Sequence, residues 1–144
     1  MSTIEIARAA FEHIKAENPH LKMEIEENPE HVELAMNIKK QPRLDFDVFL
    51  SLQNNDELHL QFEFFSFEWF PCTEPARVLE YETSVNGVLS GRFRTKVIEL
   101  RGQSIKALLQ APSENGWSTV FTWSKMHLPL GAKTIRYVQN QSRT

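Results

Sequence analysis

A single cysteine, Cys72, in a chain of 144 residues excludes an internal disulfide framework. Five glycines leave few places for a loop that cradles phosphate, and Leu89-Ser90-Gly91 lacks the flanking pattern of a nucleophile elbow. The five histidines, at 13, 20, 31, 59 and 127, include no HxxxH pair and stand beside no cysteine cluster, so neither a metal nor a cofactor is expected. No apolar run approaches the ~18 residues of a membrane span. The start, Met1-Ser2-Thr3-Ile4-Glu5-Ile6, has no basic region followed by an apolar one. These absences argue against nucleotide enzymes, hydrolases and membrane proteins, and they set the expectation of a cytoplasmic protein.

What is present fits one globular domain. With 41% hydrophobic and 24% charged residues, the chain has enough apolar surface for a core without staples. The expected domain covers residues 1–139, with 140–144 as a frayed tail. The net charge of −3 conceals an asymmetry: residues 1–72 carry 6 Lys/Arg against 14 Asp/Glu, and residues 73–144 carry 10 against 5. Halves of opposite sign suit docking within the chain, pairing with a second copy, or an anionic partner.

Ser2-Thr3-Ile4-Glu5 has the spacing of a capping box, and Ala7, Ala10, Phe11 and Ile14 follow at helical intervals until Asn18-Pro19. Four period-two runs come next: Leu21 to Ile25, Val32 to Ile38, Leu44 to Leu52, and Leu58 to Phe64. Short connections make them an antiparallel meander covered by the helix. Core parity implies a four-residue loop from Glu27 to Glu30. It also implies a three-residue loop, Asn54-Asn55-Asp56, with Gln53 opposite Glu57. Thr73 and Pro75 mark the cap and first turn of a second helix, which Gly87 or Gly91 ends. Phe93 to Val97 then pairs with Ile105 to Leu109 around Arg101-Gly102, Trp117 to Trp123 follows, and Thr134 to Val138 reads as a last edge strand. The fold class is therefore α+β: helix, four strands, helix, three or four strands, giving seven or eight antiparallel strands with the helices on one face.

This element order resembles the type III secretion chaperones and the YbjN-like sensory regulators, which are small, often dimeric α+β proteins. The string Glu68-Trp69-Phe70-Pro71-Cys72, with Gly87, Gly91 and Arg92 downstream, is similar to a family of small uncharacterised bacterial proteins. That second resemblance carries no activity to transfer.

Four groups of residues are candidates for function. Cys72 follows a proline just before a helix start, where the helix dipole favours a thiolate. The alternative is a small buried hydrophobe beside Trp69, favoured because no histidine is near in sequence and no second cysteine exists. The inferred register places Asp47 opposite Glu63, with Asp45 two residues away, as a carboxylate cluster able to share a proton or bind a divalent ion, or else as a solvated sheet face. Arg92, Arg94, Lys96, Arg101 and Lys106 form a basic patch, with Lys96 expected opposite Lys106. An acidic protein surface suits this patch better than nucleic acid, because the expected face has no aromatics between its charges. Lastly, the apolar phase slips by one residue between Phe64 and Phe65. Either a β-bulge keeps Phe65, Phe67 and Trp69 in the core, or these residues join Phe49 as an exposed interaction surface. The leading expectation is a non-catalytic, homodimeric protein-binding module. Its rival is a small enzyme or anion-binding protein using Cys72 or the carboxylates.

Overall fold

The computed structural model describes residues 1–127 and 130–141. The first helix, α1 (Thr3–Glu17), begins where the serine can satisfy a free amide: the Ser2 hydroxyl accepts a hydrogen bond from Glu5 N at 3.2 Å. Ala7, Ala10, Phe11 and Ile14 form its buried stripe. At its end, the Asn18 side chain donates 2.8 Å bonds to the Ile14 carbonyl and to Asn86 Oδ1.

Five strands follow in one antiparallel sheet whose spatial order is the chain order: β1 (Glu24–Glu26), β2 (Leu34–Ile38), β3 (Val48–Gln53), β4 (Glu57–Phe62) and β5 (Phe65–Trp69). Register stacks the apolar residues in rows across the strands. Ile25, Met36, Leu50, Leu60 and Phe67 make one row, and Leu34, Leu52, Leu58 and Trp69 the next. Helix α1 and the second helix, α2 (Pro75–Ser90), pack on each other; α1 also meets β2, and α2 meets β4 and β5. Burying one Val/Leu/Ile/Phe/Met side chain contributes about 1.5–3 kcal/mol, so these rows are the main source of cohesion.

The fifth strand is the main departure from the sequence reading, which ended the meander at Phe64. Neither a bulge nor an exposed second set exists. Instead the chain reverses over Glu63 and Phe64, and Phe62 pairs with Phe65. Two intervening residues place an even-numbered position opposite an odd one, so the slip in apolar phase is the signature of a two-residue hairpin. Phe65, Phe67 and Trp69 are thereby buried, at 1%, 0% and 5% exposure, and form core, not interaction surface. The tip residue Phe64 is 81% exposed. One loop also differs in length. Glu26 faces Ala35, so the β1–β2 connection is longer than the expected Glu27 to Glu30. In contrast, Gln53 does face Glu57 across Asn54-Asn55-Asp56.

Helix α2 starts after Glu74, which takes the cap position without a side-chain bond, whereas Thr73 had been expected there. It stops at Gly91, whose φ of 80° is the left-handed conformation that glycine tolerates. The second sheet is four-stranded and antiparallel, in the order β8 (Gly116–Ser124), β7 (Gln103–Ser113), β6 (Arg94–Leu100), β9 (Lys133–Val138). The last edge strand is thus present, and among the described residues nine strands stand where seven or eight were expected. The two sheets meet at an aromatic seam. Phe65 lies 5.6 Å from Trp123, and Phe121 lies 5.6 Å from Phe67 and 5.2 Å from Trp69, centroid to centroid.

Asn140, placed by the sequence reading in a frayed tail, is 1% exposed. Its side chain donates 2.7 Å bonds to the Arg43 and Leu89 carbonyls and accepts one from Asp45 N. A polar clamp of this kind leaves no trace in apolar periodicity. The tail residues 142–144 lie outside the described residues.

Gly87 explains how α2 docks on the start of β6. A Cβ there would stand 2.3 Å from Phe93 Cδ1, and the Phe93 amide donates to the Gly87 carbonyl at 2.9 Å. Gly87→Ala is expected to destabilise the fold by about 1–3 kcal/mol through overpacking, despite alanine's better helix propensity. The measurement is a urea titration, in which the midpoint should fall with an unchanged slope; an equal or higher midpoint would contradict the close packing.

Candidate functional site

Alternation along the second sheet sends Thr95, Val97, Ala107 and Leu109 inward and leaves Arg94, Lys96, Ile98, Lys106 and Leu108 on the outer face. Strand β9 adds Ile135 opposite Ile98 and Tyr137 opposite Lys96, at 55% and 50% exposure. Strand β8 contributes Thr122 opposite Leu108 and, beyond a bulge at Leu109/Gln110, Thr119 opposite Gln110 and Trp117 opposite Pro112. That bulge shifts the phase of β8. Phe121 and Trp123 stay on the core side, while Trp117 comes to the outer face.

At the centre of this face one arginine contacts two aromatic rings. The Arg94 guanidinium carbon lies 4.3 Å from the Trp117 ring centroid and 4.2 Å from that of Tyr137, so one cation sits over two aromatic faces. Its Nε donates to Gln110 Oε1 at 2.9 Å, and Gln110 Nε2 reaches Thr119 Oγ1 at 3.4 Å. No Asp or Glu stands among the outward-facing strand positions named here, and among the described residues no carboxylate pairs with Lys96 or Lys106. The face therefore offers fixed aromatic surface and uncompensated positive charge together.

Two expectations about the basic patch are corrected. Lys106 faces Ile98, not Lys96, because the β6–β7 turn is the two-residue Arg101-Gly102 and the register shifts between Ile98 and Glu99. Arg101 sits in that turn and Arg92 precedes β6, so Arg94, Lys96 and Lys106 are the patch members on the strands themselves. Nor is the face without aromatics. Trp117 and Tyr137 were missed because the β8 bulge flips one and the pairing of β9 with β6 brings in the other, 43 positions beyond Arg94. The only local signal was the odd parity of Tyr137, which in the expected edge strand sets it opposite to Val138.

Each of the three carboxylates has a donor of its own. Asp47 and Glu63 line one depression of 280 Å³ together with Phe49, which pairs with Gln61 as expected. Each is bound elsewhere: Asp47 Oδ1 accepts from Lys40 N at 2.7 Å, and Glu63 accepts a bidentate pair from Arg136 on β9, at 2.6 and 3.4 Å. Asp45 Oδ2 accepts from Gln141 N at 2.6 Å. Arg136 also donates to Glu99 at 2.9 Å, and hydrogen bonding to Glu63 is the main reason its guanidinium holds its proton still more firmly than usual.

Cys72 is 1% exposed, and its backbone amide donates to the Asp56 carbonyl at 2.9 Å. Burial, with the Asp56 charge second, pushes the thiol above its ordinary 9.0. This is the opposite of what a reactive thiolate needs, so the structure sides with the buried hydrophobe. Tyr81 is buried beneath the sheet, with its hydroxyl donating to the His59 carbonyl at 2.8 Å. Burial holds it well above its ordinary 10.0. Comparisons with protein-family models, with curated proteins and with solved structures gave no match for this chain.

Both groups keep their protons more tightly in the folded than in the unfolded chain. Above its ordinary value each therefore dissociates only on unfolding, and stability falls as pH rises. Urea midpoints should decline from about pH 9 upward, with Cys72→Ala removing the earlier part of the slope and leaving the Tyr81 part. Labelling of Cys72 by a disulfide reagent should be far slower in the native protein than after unfolding. A flat pH profile, or equal labelling rates, would contradict the burial of these groups.

Proposed function

We propose that this chain is a non-catalytic binding module whose working surface is the outer face of the four-stranded sheet, and that its partner is an acidic protein surface, in the first instance a second copy of itself. The observation that carries this reading is the Arg94 cation over the rings of Trp117 and Tyr137, flanked by Lys96 and Lys106, which have no carboxylate partner among the described residues. Aromatic residues and arginine are the side chains that concentrate binding energy in interfaces, and a ring pair that pre-orders the guanidinium lowers the entropy lost on docking.

The complementary surface exists on the same chain. Glu24, Glu26, Glu27, Glu30 and Glu33 are exposed along and beside the edge strand β1. In a two-fold pair, the basic face of one copy meets the acidic edge of the other, and the same contact recurs by symmetry. Packing two basic faces against each other would instead set like charges together. The rival reading, chemistry at Cys72 or at the three carboxylates, draws no support from a buried thiol and carboxylates held by separate donors.

The test is mass in solution at ionic strengths of about 0.01 M and about 1 M, where the Debye length is about 30 Å and about 3 Å. Twice the chain mass is expected at low salt, dissociation at high salt, and a monomer at both for the double variant Lys96→Glu, Lys106→Glu. A single-chain mass for the parent protein at every salt concentration would exclude self-association. Binding of a fluorescent single-stranded oligonucleotide, weakening steeply with salt, would replace the acidic-protein reading with a nucleic-acid one.

A further inference from the structure

The pairing of β4 with β5 creates a second constellation on the opposite side of the first sheet from the helices. His59 stands directly across from Glu68, and Glu57 lies two positions earlier on the same strand and face. His59 Nε2 is 3.0 Å from Glu57 Oε1 and 3.4 Å from Glu68 Oε2, and the three donor atoms all lie within 4.8 Å of one another. We propose that Glu57, His59 and Glu68 bind a divalent first-row transition ion, with zinc the best match to one imidazole and two carboxylates.

The distances suit such an ion. Zinc bonds to nitrogen and carboxylate oxygen of about 2.0–2.2 Å set the ligands roughly 3.3–3.6 Å apart in a tetrahedron, close to the two separations from Nε2. The imidazole makes a hard ion such as magnesium or calcium a poor occupant, since these take all-oxygen shells.

A solvated trio of charges would not need the order seen around His59. Its side chain is 9% exposed, against 24% and 42% for Glu57 and Glu68; Asn54 Nδ2 donates to Glu57 Oε1 at 2.9 Å and holds it beside the ring, while Glu68 keeps room to close on an ion. The other ring nitrogen, Nδ1, lies 3.1 Å from Ser66 Oγ. When Nδ1 donates its proton there, the Nε2 lone pair points between the carboxylates, which is how an outer-shell partner fixes a histidine ligand. The fourth position opens on the exposed side, by Glu68, and suits a water. Metal binding displaces any proton on Nε2, so binding by the site releases protons. Histidine spacing along the chain gave no hint of this site, because its ligands come from two strands joined by the Glu63-Phe64 turn.

Isothermal titration of chelator-treated full-length protein with Zn²⁺ tests the proposal. One ion per chain is expected, with a rise in melting temperature. Affinity should fall at least about tenfold in His59→Gln and in Glu68→Gln, and by about tenfold in Ser66→Ala. Glu68→Gln removes a half-exposed side chain, so it keeps the test valid if His59→Gln fails to fold. Substitution with Co²⁺ adds a signature, the visible bands of a four-coordinate ion, which should vanish in both ligand variants. No stoichiometric uptake would overturn the site. Uptake that both ligand variants retain unchanged would overturn it equally, by placing the ion elsewhere.

Discussion

The reversal at Glu63-Phe64 is the constraint on which the rest of the molecule depends. It folds the most aromatic stretch of the chain back on itself, so that Phe62 meets Phe65 and β5 presents Phe65, Phe67 and Trp69 as the border of the first sheet. The second sheet docks against that border through Phe121 and Trp123. Each aromatic contact adds about 0.5–1.5 kcal/mol beyond the area it buries, and several converge here. The turn has no glycine: Glu63 adopts φ 53°, and its carboxylate is gripped by Arg136 from the second sheet. The same ion pair thus holds the tip of the hairpin and ties the C-terminal strand to it.

Two polar devices complement this apolar seam. Asn140 satisfies backbone groups of Arg43 and Leu89 where the C-terminus crosses the first half, and Tyr81 does the same for His59 beneath the sheet. Buried groups of this kind are costly when unpaired, so they select one arrangement of the packed layers over others that bury similar apolar area. The acidic first half and the basic second half consequently meet through specific partners, Glu63 with Arg136 among them, while Lys96 and Lys106 remain outside that arrangement.

Much of the candidate surface was legible as residue types but not as a place. Arg94, Lys96 and Lys106 follow from strand alternation, which any period-two reading recovers. Their aromatic neighbours do not, because a bulge in β8 changes which side Trp117 faces and because β9 arrives from far along the chain. The Glu57, His59, Glu68 group was hidden for a related reason. Glu68 reaches His59 only if the chain turns at Glu63-Phe64, and no glycine, proline or asparagine announces that turn. Cys72 was the reverse case: its position before a helix was legible, whereas its burial is set by what packs over it.

By itself the sequence determined the α+β class, the first helix with its Ser2 cap, the faces of β2, β3 and β4 and the Asn54-Asn55-Asp56 turn. All of these depend on neighbours a few residues apart, whose spacing is written directly in the chain. Tertiary structure alone decided the fifth strand, the location of Phe65, Phe67 and Trp69 in the core and the Arg94 stack. Each of those depends on register between strands. Register shifts by one or two residues at a bulge or an unmarked turn, and every such shift exchanges the partners and faces of all the side chains beyond it.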